Sequence, residues 1–236
     1  MQLFYNPDLK VTSKQITFDK DESRHIVRVL RKREGDILHI TNGEGFLFYA
    51  EISIGSDKKC VANIIKFEEK KRTRDYYLHV AIAPTKNNDR FEWFLEKATE
   101  IGIDEITPII CDNSERKIVK IDRLSRIVQS AMKQSLQFTL PKLNEPIKFS
   151  DFITQNHNNE TFIAHCEENM EKKLLKNIAT PNASYTILIG PEGDFSSQEI
   201  QQSLNKKFTP ISLGENRLRT ETAGLSVVQS IAFIHQ

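Results

Sequence analysis

Three cysteines in 236 residues, none at CxxC spacing, are too few for a disulfide framework, so Cys60, Cys111 and Cys166 are expected to be buried and reduced. No apolar run approaches the roughly 20 residues that a membrane span needs. The opening MQLFYNPDLK has no basic stretch leading into an apolar one, which argues against a secretory signal and for a cytoplasmic protein. Neither sign of charge dominates: 33 basic against 32 acidic residues give +1, so a surface for a polyanion has to come from local segregation of charge. The six histidines show no HExxH spacing, which with the scattered cysteines makes a metal site improbable. What is present, 39% hydrophobic and 28% charged residues, is the composition of a globular protein with one large domain or two unequal ones.

Two halves read differently. Strand-like pieces at 15–18, 37–40 and 46–52, with turns at Gly35-Asp36 and Asn42-Gly43, suggest a small β-rich domain interrupted by one helix, Glu22 to Lys32. The charged stretch KFEEKKRTRD (66–75) marks the boundary, which divides the chain into 1–72 and 73–236. Beyond it, apolar strands at 78–83, 106–110, 161–166, 186–190 and 210–213 alternate with helices at 89–102, 122–136, 168–177, 197–205 and 220–235. Asp89 is the expected N-cap and Gly102 the C-cap of the first of these helices. Such alternation implies an α/β domain with a largely parallel sheet covered on both faces.

Chemistry concentrates near the carboxyl end. Ile189-Gly190-Pro191-Glu192-Gly193-Asp194-Phe195-Ser196 leaves a strand, turns through two glycines and a proline, and enters a helix capped by Ser196 with Glu199 three residues on. An ordinary strand-to-helix turn would look similar. A ligand-cradling loop sits in the same topological place, because open α/β sheets bind ligands beyond the carboxyl ends of their strands. Two carboxylates inside the loop, with no GxGxxG and no GxxxxGK[ST], speak against a phosphate and against an unrelated nucleotide-dependent enzyme; a neutral or cationic small molecule fits better. A second loop, Leu213 to Gly224, crowds Arg217, Arg219 and Glu221 at the start of a buried terminal helix that Thr220 or Thr222 can cap.

The pairing of IGPEGDFSSQEI with LGENRLRTETAGLSVVQSIAFI resembles the RsmE family of small-subunit ribosomal RNA methyltransferases, in the SPOUT superfamily. KNNDRFEWFLEKATEIGIDEITPIICDNSERK and HIVRVLRKREGD are similar to further segments of that family, so the resemblance spans nearly the whole chain. It implies a PUA-like RNA-binding β-barrel followed by a SPOUT-type parallel-sheet domain with a trefoil knot, acting as a homodimer. It further implies S-adenosylmethionine as methyl donor and N3 of a uridine in 16S ribosomal RNA as acceptor. On the matching motifs, the cofactor pocket would use Ile189, Gly190, Glu192 and Gly193 of the first loop. From the second it would use Leu213, Gly214, Leu218, Arg219, Thr220, Thr222 and Ala223, and Ala164 to Cys166 would add a third wall. The family commonly reads GPEGG and LGxRILR, whereas here Asp194 replaces a glycine, and Asn216 and Arg217 replace an arginine and an isoleucine.

Uracil N3 becomes a good nucleophile only as its proton leaves, so a helper is needed. Arg219 would stabilise charge developing on the carbonyl oxygens, and Glu221 or Glu192 would accept or orient the proton. The plainer reading pairs Glu221 with Arg217 or Arg219 and leaves it to shape the loop. For RNA phosphates the candidates are Arg24, His25, Arg28, Arg31, Lys32 and Arg33, with Arg116 and the run Lys70, Lys71, Arg72 and Arg74 near the domain junction. Phe195 could stack on an extruded base, although a core role suits it better. The contrasting class is a non-catalytic RNA-binding or ribosome-assembly protein on the same fold.

Overall fold

Alternation of apolar and polar residues builds the N-terminal sheet. In the computed structural model, which describes residues 1–236 other than 71, 73, 158 and 169, the strands are β1 (Leu3–Tyr5), β2 (Gln15–Thr17), β3 (Ile37–Thr41), β4 (Phe46–Gly55) and β5 (Cys60–Glu69). They pair in the order β1-β3-β4-β5-β2, antiparallel except for β1 with β3. Phe4, Ile16, Leu38, Ile40, Phe48 and Ile52 fill the core of this sheet. The expected helix at 22–32 is shorter and wider: α1 is Lys20–Arg24, and His25–Val29 continues as a π-helical turn. The wider turn keeps Ile26 buried and leaves Val29 exposed.

The charged stretch expected to mark the boundary is in part a strand, since β5 runs to Glu69, with Lys66 and Glu69 exposed and Glu68 half-buried. The chain divides into two compact units, Met1–Thr73 with Met132–Leu140, and Arg74–Ala131 with Pro141–Gln236. Lys71 and Thr73, at the expected boundary, lie outside the described residues. The later segment joins the first unit through the Phe138 carbonyl, which accepts from Gly45 N–H at 2.8 Å and Thr41 Oγ1 at 3.1 Å. Nothing in the sequence pattern announces that return.

The second unit holds β6 (Tyr77–Ile82), α2 (Asn88–Ile101), β7 (Glu105–Ile110), α3 (Ile121–Gln134) as far as Ala131, β8 (Lys142–Leu143), β9 (Ile147–Lys148) and α4 (Phe149–Thr154). It continues with β10 (Glu160–Ala164), β11 (Lys173–Leu174), α5 (Leu175–Ile178), β12 (Ser184–Ile189), α6 (Ser197–Asn205), β13 (Thr209–Ser212) and α7 (Thr220–Ile234). The sheet runs β11-β13-β10-β12-β6-β7-β8, with β9 also on β7, and every described pairing is parallel. Parallel strands buried on both faces account for the continuous apolar runs in the sequence. Ala81, Ile163 and Leu188 pack with Phe149 and Phe152 of α4 and Ile200 of α6 on one face. Ile82 meets α2 and α7 on the other, where Gly224 lets the helices close up: a Cβ there would stand 2.7 Å from Phe94 and 2.8 Å from Ile82.

Local chemistry corrects three expected boundaries. Asn87, not Asp89, caps α2, its side-chain oxygen accepting from Asp89 N–H at 2.9 Å, while Gly102 closes the helix at φ 115°. Thr220 is the first residue of α7 and caps nothing; the residue ahead of it, Arg219, is extended. The helix expected at 168–177 is reduced to β11 and the single turn of α5, with Asn169 outside the described residues. Among residues 167–171 only Met170 is apolar, so the sequence there offers no helical stripe to bury.

Buried imidazoles give the fold a pH dependence. His79 on β6 shares a 2.7 Å hydrogen bond with Thr107 Oγ1, and burial pushes its pKa down to about 4. Burial lowers His157 and His165 in the same direction. The unfolded chain protonates His79 near pH 6.5 and the folded chain only near 4, so the unfolded state binds more protons in that window. The His79 contribution, roughly 3 kcal/mol at about 1.4 kcal/mol per pKa unit, is complete above pH 6.5 and is lost as pH falls through 4. Urea denaturation at pH 7 and pH 4.5 should show this loss reduced in His79→Gln. An unchanged loss would show that other groups carry it.

Candidate active site at the carboxyl ends of the sheet

Two parallel strand ends, those of β12 and β13 on either side of β10, start the site. The first loop leaves β12 at Gly190 and enters α6 through a complete capping box: Ser196 Oγ accepts from Glu199 N–H at 3.2 Å, and Glu199 Oε2 accepts from Ser196 N–H at 2.9 Å. The other oxygen of Glu199 accepts from Asp112 N–H at 2.9 Å, and burial raises its carboxyl pKa. Asp194 takes the left-handed conformation at φ 64°. Short polar side chains reach that region when they bond locally. Here one carboxylate oxygen accepts from Phe195 N–H at 2.8 Å and the other from Cys166 N–H at 2.7 Å, so the residue that bends the loop also fastens it to the end of β10. Phe195 is buried against Phe149, ring centroids 5.6 Å apart, and is therefore a core residue.

The second loop leaves β13 and returns into α7. Thr220 Oγ1 donates to the Gly190 carbonyl at 3.0 Å, joining the two loops across thirty residues of sequence. Between them lies a cleft in two parts. One, about 410 Å³, is bounded by His165, Glu168, Lys172 and the run Ile211–Leu218. The other, about 280 Å³, is bounded by Ile189–Glu192, Asp194 and Arg217–Thr220. Ala164, Cys166, Arg217, Leu218 and Ala223 border both, so the cleft is continuous along one wall. A larger groove, about 810 Å³, lies at the opposite, amino-terminal ends of β10 and β13. Its volume does not make it the site, since parallel sheets place their chemistry at the carboxyl ends.

Of the residues expected to hold a cofactor, Ile189, Gly190, Glu192, Leu218, Arg219, Thr220 and Ala223 border the second part, and Leu213 and Gly214 the first. Gly193 and Thr222 border neither; Gly193 faces Asn113, whose side-chain amide donates to the Gly193 and Asp194 carbonyls at 3.2 and 3.1 Å. Glu192 is half-paired: Oε1 accepts from Lys86 N–H at 2.9 Å, and Oε2 is buried with no hydrogen-bond partner. Arg219 is exposed at the cleft. Glu221 is buried and borders neither part, with Oε1 3.7 Å from Arg90 Nε, so its ion pair is with Arg90 on α2 and not with Arg217 or Arg219.

Ala164 to Cys166, expected as a third wall, do border the cleft, whereas Glu168, Lys172 and Arg90 escaped the sequence reading. Cys166 is exposed at the cleft, against the expectation of a buried thiol; Cys60 and Cys111 are buried. His165 is buried with both ring nitrogens unpartnered, and burial, with Lys172 beside it, lowers the pKa of the imidazole. Lys172 Nζ donates to the His165 and Glu167 carbonyls at 3.1 and 2.8 Å. An apolar strand ending in His-Cys-Glu-Glu was the available signal for this wall. Arg90 had none, because an ion pair spanning more than a hundred residues leaves no local spacing.

In the first unit, Arg24, Arg31 and Arg33 are exposed, while His25 and Lys32 are half-buried. Arg28 Nε donates to Asp57 Oδ2 at 2.6 Å. Lys70 and Arg74 are paired with Glu68 and Asp104, respectively.

A family model described as an RNA methyltransferase domain matches residues 72–232, and one described as an RNA methyltransferase PUA domain matches residues 18–65. A ribosomal RNA small subunit methyltransferase E of Rickettsia conorii is 32% identical over 99% of this chain and 95% of its own length. The chain belongs to this RNA methyltransferase family. A probable rRNA methyltransferase from Porphyromonas gingivalis has the same structure throughout, with a TM-score of 0.92 and 40% identity over 100% of this chain and 98% of that one. The ribosomal RNA small subunit methyltransferase E of Neisseria gonorrhoeae, solved bound to S-adenosyl methionine, matches at a TM-score of 0.86 and 26% identity, covering 99% and 98% of the two chains. The chain is thus an RNA methyltransferase with a PUA domain at its N-terminal end and a parallel α/β domain after it.

Proposed function

We propose that this methyltransferase transfers a methyl group from S-adenosylmethionine to N3 of a uridine in 16S ribosomal RNA of the small subunit, and that the two-loop cleft is its active site. The observation that carries the reading is the Thr220 to Gly190 hydrogen bond, which closes the two loops around one cleft bordered by a half-paired buried carboxylate and an arginine. Relatives named for small-subunit ribosomal RNA, and the neisserial structure holding S-adenosyl methionine, support the substrate and the donor.

The residues present suit such a donor. Apolar Ala164, Ile211, Leu213, Leu218 and Ala223 offer a surface for an adenosyl group, and the acidic first loop accommodates a cation where it would repel a phosphate. Ile189, Gly190, Leu213, Gly214, Leu218, Thr220 and Ala223 are assigned to hold it. Gly193 and Thr222 border neither part of the cleft and are assigned no contact with the donor. When bound, the donor supplies a methyl group already activated on a sulfonium, so the protein contributes orientation more than further activation. Glu192 Oε2 is the assigned acceptor for the N3 proton, and Arg219 steadies the charge that develops on the uracil oxygens. Glu221 is assigned to setting the start of α7 through Arg90.

The PUA domain, assigned to residues 1–72, would hold phosphates through Arg24, His25, Arg31, Lys32 and Arg33, with Arg28 released from its exposed pair with Asp57 at small cost. The acceptor uridine has to be extruded for N3 to be reached. A homodimer is supported by Trp93 on α2 and Phe233 on α7, 43% and 71% exposed on two helices that pack together. A knotted path through residues 73–236 is supported by the sheet order, in which β13 lies beyond β10 and not beside β12. A ribosomal RNA substrate implies the cytoplasm; among the described residues no helix is long and apolar enough to cross a membrane.

Mass spectrometry of nucleosides from 16S RNA of cells lacking the protein tests the reading. One N3-methyluridine should be missing and should return with the wild-type gene. An unchanged nucleoside profile would remove the proposed reaction, and, with it, failure to bind S-adenosylmethionine would leave a non-catalytic RNA-binding role.

A further inference from the structure

Arg116 reads from the sequence as a phosphate contact, and the structure employs it elsewhere. Its guanidinium is half-buried, with Nε donating to the Thr85 carbonyl at 3.1 Å and Nη2 to the Lys86 carbonyl at 2.7 Å. The Thr85 carbonyl and the Lys86 N–H belong to one peptide group, and that N–H is the donor held by Glu192 Oε1 at 2.9 Å. A cation on the oxygen of a peptide polarises it and strengthens the hydrogen bond made by its N–H, so guanidinium, peptide and carboxylate form a cooperative chain. Two further bonds fix the same turn: Lys86 Nζ pairs with Glu115 at 2.7 Å, and Thr85 Oγ1 donates to the Asn87 carbonyl at 2.6 Å. At the far end of the chain, Glu192 Oε2 is buried and left without a partner.

We propose that Arg116 is a positioning residue for Glu192, acting through the Thr85–Lys86 peptide to hold one carboxylate oxygen and leave the other for the acceptor nucleotide. The inference rests on Glu192 being the proton acceptor. A guanidinium that bridges two backbone carbonyls has its fork already engaged, which is why it is assigned to the carboxylate and not to a phosphate.

The test compares wild type, Arg116→Ala, Arg116→Gln, Glu192→Gln and the Arg116→Ala/Glu192→Gln double variant in single-turnover methylation. The substrate is small ribosomal subunits from cells lacking the protein, with subunit and S-adenosylmethionine saturating, and subunit affinity is measured across a salt series. Arg116→Ala should lower the rate constant about tenfold and leave the slope of log Kd against log salt unchanged. Arg116→Gln, which can still reach one carbonyl, should fall between it and wild type, and serves if the alanine variant does not fold. The double variant should be no more than about twofold slower than Glu192→Gln alone, because residues acting through one another are not additive. A normal rate with a salt slope smaller by about 0.7–0.9 would make Arg116 a phosphate contact and overturn the proposal. So would a double variant showing the full product of the two losses. A wild-type rate in Glu192→Gln would instead remove the reading of Glu192 on which the inference stands.

Discussion

Glu192→Gln should slow the methyl-transfer step by about 10²–10⁴-fold, the range that a positioned general base supplies. The substitution keeps the size of the side chain and an oxygen for the Lys86 N–H, so loop geometry is preserved and only the capacity to take a proton is removed. Uracil N3 carries that proton and a delocalised lone pair, so a protein unable to remove it presents a poor nucleophile to any methyl donor. Binding of S-adenosylmethionine should change little, because backbone and apolar groups make up most of the cleft's remaining border. Single-turnover rates across pH give the check. A near-normal rate at pH 7, with the same pH profile, would assign proton removal to another group.

Arg219→Ala should cost about 10²–10³-fold in the same step, the effect found when one donor to a developing oxyanion is deleted. Arg219 stands immediately before α7, where the extended backbone of the residue ahead of the helix carries its side chain to the cleft. Its acidic neighbour in sequence, Glu221, faces Arg90 instead, which leaves the Arg219 guanidinium uncommitted to that carboxylate. Deprotonation of the imide places negative charge on two carbonyl oxygens, and a fixed cation lowers the energy of that state more than of neutral uracil. Arg219→Lys, which keeps charge without the planar fork, should recover part of the rate. Loss confined to RNA affinity, with the rate at saturation intact, would make Arg219 a binding residue only.

The local parts of this site were legible because local spacing creates them. Ser196 and Glu199 form the expected capping box, and Gly102 ends α2 as its position predicts. The two motifs at 189–196 and 213–224 meet as expected, because they leave strands that run parallel in one sheet. What escaped was made by contacts distant in sequence. The Arg90–Glu221 pair and the bond from Lys86 to Glu192 each join residues more than a hundred positions apart, and the return of residues 132–140 to the first unit has the same character. Asp194 shows a different limit. Its left-handed backbone disagreed with simple propensity, and the explanation lies in the partner N–H groups of Phe195 and Cys166, which only the folded chain brings within reach.

One cleft has to hold the donor, and Ala223 is the residue to fill it, since it borders both parts. Calorimetric titration of S-adenosylmethionine should show one molecule bound per wild-type chain and none to Ala223→Phe, with the variant still folded by circular dichroism. Wild-type affinity in a folded Ala223→Phe protein would place the donor elsewhere and contradict the account.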